Sequence, residues 1–128
     1  MSRQHAPTTA AEFRILKALW RTGSGPVAEV GAKYHELFRE RPAYTTVMTL
    51  LGRLVAKGLV QVDKSREPYL YSAAVREQSV LGAQLRQFVD HVFDGNAKAL
   101  VLGLLENESL SAKDLRRIER KLEKGGKR

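Results

Sequence analysis

Cysteine does not occur in this 128-residue chain. Its absence removes disulfides and thiolate metal ligation, and it fits a reducing cytoplasm. No apolar run approaches the roughly 20 residues of a membrane span. The stretch Met1 to Pro7 lacks the apolar core of a signal peptide. The expectation is a soluble, cytoplasmic protein with no membrane insertion. Histidine is scarce, and His5, His35 and His91 stand too far apart for metal-ligand spacing. Nucleophile motifs and glycine-rich phosphate loops are missing too. No catalytic residues, metal or cofactor are therefore expected. Acids are also few, 14 against 22 lysines and arginines, for a net charge of +8. That excess points to a polyanionic partner, with nucleic acid ahead of an acidic membrane surface. No helix here is both strongly basic and aromatic on its other side, as membrane binding would favour.

What is present is a patterned, foldable chain, 43% hydrophobic. The stretch from Ala43 to Gly58 organises it. Val47, Leu50, Leu51 and Leu54 recur at helical spacing and predict one buried stripe. Thr46, Thr49, Arg53 and Lys57 fall on the other side, with hydroxyls and cations and no acid. Such a face suits base edges and phosphates in a major groove. Pro42 keeps Arg41 out of helical geometry, Thr45 is the expected N-cap, and Gly58 is the expected glycine after the helix.

Upstream, residues 1 to about 8 read as a flexible arm. Thr9-Ala10-Ala11-Glu12 has capping-box form. The helix it opens is expected to bury Phe13, Leu16, Leu19 and Trp20. Gly23-Ser24-Gly25 reads as a turn, and Pro26 as the first position of a second helix carrying Val27, Val30, Tyr34, Leu37 and Phe38. Arg39 and Arg41 suit the last turn of that helix. Two helices, the second leading by a short turn into the Ala43–Gly58 helix, make a helix-turn-helix arrangement. After Gly58 the period becomes two. Leu59–Lys64 and Tyr69–Ser72 read as strands around a Ser65–Pro68 turn, a β-hairpin that completes a winged helix. Lys64 and Arg66 at its tip would lie over a phosphate backbone.

The rest reads as helical. One helix is expected over about 76–93, burying Val80, Leu81, Leu85, Phe88, Val89 and Val92, with Asp94-Gly95-Asn96 breaking it. Leu100 to Leu105 is apolar nearly all round. A last helix sets Leu115, Ile118 and Leu122 against Arg116, Arg117, Arg120 and Lys121, and Gly125 to Arg128 reads as a frayed tail. About 50 residues in three helices make a poor independent core, and a partner subunit supplies the missing surface. The expected fold is therefore mainly α with a small β-hairpin. It comprises an N-terminal winged helix-turn-helix domain, 1–74, and a C-terminal helical dimerisation domain, 75–128. A twofold dimer places two recognition helices on one duplex.

These residues resemble a family. Thr9 to Trp20 looks like its first-helix motif, and Ala43 to Val60, with Tyr44-Thr45-Thr46-Val47, looks like its signature. Tyr69-Leu70-Tyr71 matches its wing, and Phe93-Asp94-Gly95 with Leu100-Val101-Leu102 its C-terminal part. The family is that of the penicillinase repressors, with the BlaI, MecI and CopY types. The similarity covers about residues 8–124. It implies a homodimeric winged-helix repressor on a pseudo-palindromic double-stranded DNA operator, with Thr45, Thr46, Thr49 and Arg53 in the base-contacting positions. Tyr44, Lys57, Lys64 and Arg66 complete the candidate DNA-binding set. The resemblance also implies a pathway through a membrane sensor metalloprotease, and derepression by cleavage in the dimerisation region. The β-lactam branch is cut between asparagine and phenylalanine. Gly103 and Leu104 occupy those positions here and form the candidate cleavage point, so the inducing protease is expected to differ, to cut elsewhere or to be absent. The copper branch binds metal through C-terminal cysteines, which this chain lacks. The rival to an operator-specific repressor is a winged-helix module that binds RNA or another protein.

Overall fold

The computed structural model describes residues 8–125. The expected arm over 1–7, His5 included, and the tail beyond Gly125 lie outside the described residues. Helix α1 spans Ala10–Thr22 and begins with the expected capping box. Thr9 Oγ1 accepts from the Glu12 amide at 3.1 Å, and the Thr9 amide donates to Glu12 Oε1 at 3.0 Å. Two of the helix's orphan donors are thereby satisfied reciprocally. Ile15, Leu16 and Leu19 are fully buried, while Phe13 and Trp20 pack at the core's edge, ring to ring at 6.0 Å.

Gly23 ends α1 at φ 92°, a conformation that favours glycine. The chain then enters a two-residue strand, β1 (Ser24–Gly25), where the sequence reads only as a turn. Two residues are too few for a period-two signal. A Cβ at Gly25 would lie 3.2 Å from Thr22 Cγ2 and 2.8 Å from the flexible end of Glu29, so the position is tight. Helix α2 is Val27–Phe38, with Pro26 as N-cap rather than first helical residue. It ends one turn earlier than Arg39 and Arg41 imply. Arg39 adopts a left-handed conformation, φ 60°, and its amide closes on the His35 carbonyl. Leu37 stays 38% exposed.

Helix α3 spans Tyr44–Ala56, and strands β2 (Val60–Asp63) and β3 (Leu70–Ala73) follow. The sheet order is β1-β3-β2, antiparallel throughout, with Val60 opposite Ala73, Val62 opposite Tyr71, and Ser24 opposite Ser72. The core joins Leu16 and Leu19 of α1, Val30 and Tyr34 of α2, the α3 stripe, Leu59 and Val60, and Val80.

Three further helices are α4 (Glu77–Val92), α5 (Ala97–Glu106) and α6 (Ala112–Gly125). The chain divides into two compact units, the first running to Gln84 and the second starting at Leu85. That division falls ten residues beyond the 74/75 boundary read from the sequence. The start of α4 is tied into the first unit. Trp20 Nε1 donates to the Val75 carbonyl at 3.0 Å, and Glu77 meets Lys17 at 3.0 Å and Arg21 at 3.4 Å. The Lys17 hydrogen bond, aided by Arg21, holds the Glu77 carboxyl below its ordinary range.

The apolar face of α4 departs from expectation. Val80 is buried, but Leu81, Leu85, Phe88 and Val92 are 43 to 58% exposed. Helices α5 and α6 bury no residue at all, and Leu102 and Leu122 are more than half exposed. The helical periods are as read, but among the described residues these apolar faces are only partly covered. The break after α4 is made by Asp94 and Gly95, both at positive φ, and Asn96 then caps α5 through the Ala99 amide. Ser111 and Asp114 exchange capping hydrogen bonds at the start of α6.

Candidate nucleic-acid interface

The interface is built on α3. Its inward stripe, Val47, Leu50, Leu51 and Leu54, is buried to 7% exposure or less. Its C-terminus closes with a left-handed glycine motif. Gly58, at φ 78°, donates to the Val55 carbonyl at 3.0 Å, and Leu59 donates to the Leu54 carbonyl at 2.9 Å. Those two bonds satisfy orphan carbonyls and turn the chain into β2, with Leu59 in the core. The helix axis is thus fixed from below and behind.

The outward side is exposed along Tyr44, Thr45, Thr46, Thr49 and Arg53. At about 100° per residue, Thr45, Thr49 and Gly52 lie on its midline, with Thr46 and Arg53 along one flank and Met48 along the other. Met48 and Gly52 are absent from the residues singled out by sequence. Met48 is 48% exposed and gives the face an apolar patch. A Cβ at Gly52 would meet nothing within 4 Å, so no protein neighbour demands glycine there.

The N-terminus of α3 corrects one expectation. Thr45 is not the cap; Ala43 is, and no side chain closes on the helix amides. Pro42 and Ala43 extend the chain so that the first turn starts at Tyr44, which places Thr45 inside it. The first turn holds no acid either. Helices α1, α5 and α6 have capping side chains, whereas α2, behind Pro26, has none either. An uncapped helix start with exposed amides is a ready anion site.

Lys57 takes a different position from the one the sequence implies. Its Nζ lies 2.6 Å from Glu12 Oε1, with the lysine side chain 25% exposed and the glutamate buried. Burial alone would raise the Glu12 carboxyl. The Lys57 hydrogen bond, the Thr9 amide and the charges of Lys57 and Arg53 outweigh it and hold Glu12 below its ordinary value. One carboxylate therefore caps α1 and anchors the end of α3. The capping-box pattern identifies Glu12, but the pairing across 45 residues has no local signal.

The wing carries Lys64 and Arg66, both exposed. Lys64 Nζ sits 5.7 Å from the centre of the Tyr69 ring. Asp63 is turned into the loop, accepting from the Ser65 hydroxyl at 2.6 Å and its amide at 2.9 Å. Those bonds, with a smaller effect of Arg66, hold Asp63 low. Tyr71 is pushed up, chiefly by burial and then by Tyr44 and Tyr69. The sequence shows Tyr69 and Tyr71 as strand residues only.

The remaining candidates lie elsewhere. Gly103 and Leu104 are in α5, and the Gly103 carbonyl accepts both the amide and Nδ2 of Asn107 at 3.0 Å. His35 and His91 lie on helices, and His91 Nδ1 is 2.9 Å from the Gln87 carbonyl. Among the described residues no cluster of three or more His, Asp or Glu side chains could hold a metal ion. Among them, too, no helix is long and apolar enough to cross a membrane.

An exposed, acid-free helix held against a three-stranded wing is the DNA-binding module of a winged-helix transcription regulator. The chain matches the penicillinase repressor family over residues 8–124 and belongs to that family. It is accordingly a DNA-binding transcriptional repressor and not an enzyme. The penicillinase repressor of Staphylococcus aureus is 26% identical over 121 residues, 92% of each chain. The methicillin resistance regulatory protein MecI of Staphylococcus aureus strain N315 is 29% identical over 117 residues, 91% of this chain and 93% of that one. Among solved structures, the MarR family transcriptional regulator Sco5413 of Streptomyces coelicolor shares the fold at a TM-score of 0.50. It is 21% identical and is matched over 91% of this chain and 71% of that one.

Proposed function

We propose that the protein is a homodimeric, sequence-specific repressor that occupies a pseudo-palindromic operator. The observation that carries this reading is the outward face of α3, exposed, hydroxylated and free of acid. Arg53 reads a guanine edge through its two-pronged guanidinium, and Thr46 and Thr49 meet base edges and thymine methyls. Thr45 lies beside them on the midline. Tyr44 and the uncapped helix start take a phosphate, and Lys64 and Arg66 hold the backbone on the wing side. Lys57 is left out of this set because it is paired to Glu12.

Dimerisation is supported by the apolar side chains left in water on α4, α5 and α6, among them Leu85, Phe88, Leu102 and Leu122. Apolar side chains exposed in that number suit an association surface. Linking two half-sites multiplies their affinities, and breaking the link removes that gain. Cleavage between Gly103 and Leu104 would detach α6 and the last turn of α5. It requires that turn to unwind first, because Asn107 holds the Gly103 carbonyl twice.

The experiment is a DNase I footprint on the DNA upstream of the protein's own gene, with nonspecific competitor and at two salt concentrations. The expected result is a protected inverted repeat that survives competitor. Smooth, salt-sensitive coverage with no boundary, or preference for RNA over duplex DNA, would overturn operator-specific repression. A protein clipped at Gly103 that still footprints at full affinity would remove cleavage as the switch.

A further inference from the structure

Charge in the second unit is segregated. Residues 85–111 hold two cations against four carboxylates, whereas 112–125, helix α6, hold six cations against three. Within α6 the cations are not spread evenly. At about 100° per residue, Lys113, Arg117, Arg120 and Lys124 fall within a sector of about 60°. Leu115, Ile118 and Leu122 occupy the sector diametrically opposite. The four cations are exposed. Among the described residues none of them has a carboxylate within 4 Å, unlike Lys17, Arg21 and Lys57 of the first unit. The stripe is about 16 Å long, with a cation every 4.5 to 6 Å, roughly, along the axis.

We propose that this stripe is a second phosphate-binding surface for duplex DNA, separate from the recognition helix and the wing. The inference goes beyond operator reading, since it concerns contacts with no sequence content. Two features favour a duplex backbone over an anionic membrane. A membrane-surface helix keeps cations beside its apolar sector so that both reach the interface. Here the borders of the apolar sector are mixed, with Asp114 and Glu119 among them, and the pure cation row points directly away. A helix seated on a protein surface by Leu115, Ile118 and Leu122 turns that row outward, where a row of phosphates can meet it. Each such contact releases counterions and steepens the salt dependence of binding without favouring any sequence.

The experiment uses the full chain and a random-sequence 60-base-pair duplex, titrated by fluorescence anisotropy between 50 and 200 mM salt. The variants are R117Q, R120Q and the fourfold K113Q/R117Q/R120Q/K124Q, with helicity and molecular size recorded for each. For every phosphate that a variant no longer neutralises, the logarithmic salt slope should become shallower by about 0.9, so the fourfold variant should lose roughly two to four. The single variants keep the proposal exposed even if the fourfold protein misfolds. Unchanged slopes in R117Q and R120Q overturn it. So does a stripe whose removal abolishes binding to phosphatidylglycerol vesicles while leaving the DNA slope intact. Because the duplex has random sequence, the result is readable whether or not an operator exists. Failure of the footprint and failure of the stripe are therefore separate outcomes.

Discussion

Gly52 stands on the midline of the outward face of α3, between Thr45 and Ala56, with open space around its missing side chain. Glycine inside a helix costs about 0.5–1 kcal/mol relative to alanine. Nothing in the fold requires that cost, because the position packs on no neighbour. On the proposed binding mode, a bare backbone at this position lets the helix sink deeper into the groove. Gly52→Ala should therefore stabilise the free protein by about 0.5–1 kcal/mol, which raises the melting temperature by roughly 2–8 °C for a unit of this size. The same methyl should weaken operator binding about tenfold or more, equivalent to about 1.4 kcal/mol. Thermal denaturation and fluorescence anisotropy on the footprinted operator read the two effects separately. A stabilised variant that binds the operator as well as the parent would refute the reasoning, since the midline would not then be the point of closest approach. A destabilised variant would show that position 52 is constrained within the protein.

The other predictions concern neighbouring groups. Arg53→Ala should cost about 1–3 kcal/mol on the operator and relax specificity at one base pair. Equal weakening on all sequences, scored by competition with single-base operator variants, would make Arg53 a phosphate contact instead. Lys64→Ala should weaken operator and random duplexes alike and make the salt slope shallower by about one, read from the same titrations. Glu12→Gln removes a buried carboxylate whose folded-state pKa is depressed. Its stabilising contribution is complete above the ordinary carboxylate range and fades as pH falls through the folded-state value. The variant should be less stable by about 1–3 kcal/mol at neutral pH, with the gap closing below about pH 4. A gap that stays constant down to pH 2 in urea titrations would remove Glu12 as the source.

The winged helix was legible because its signals are local and agree with one another. The capping box at Thr9, the stripe Val47 to Leu54, Gly58 and the change of period at Leu59 each stand within a few residues of the structure they predict. What the sequence hid depends on partners far along the chain or on none. Strand β1 exists only because Ser24 and Gly25 meet Ser72 and Tyr71. The Lys57–Glu12 pair spans 45 residues, and periodicity alone placed Lys57 with the outward cations. The same periodicity placed Leu85 and Phe88 on an apolar face correctly, but an apolar face is not evidence of burial within one chain.

The start of α3 is where good local folding rules and DNA binding oppose each other. The capped starts of α1, α5 and α6 each carry an oxygen that a phosphate would have to displace or face. Ala43 leaves the α3 amides open. Replacing alanine at an N-cap by aspartate typically stabilises a helix by about 0.5–2 kcal/mol. Ala43→Asp should therefore raise the melting temperature while placing a negative charge where the proposed backbone phosphate sits. Ala43→Ser supplies a cap with no charge. If the open amides bind phosphate, both variants should be more stable, and aspartate should weaken DNA binding markedly more than serine. The difference between them should shrink as salt screens the repulsion. Anisotropy titrations at two salt concentrations measure that difference directly. Equal DNA affinity for both variants, with the expected stabilisation present, would place the phosphate contact elsewhere and leave the bare helix start without a functional cause.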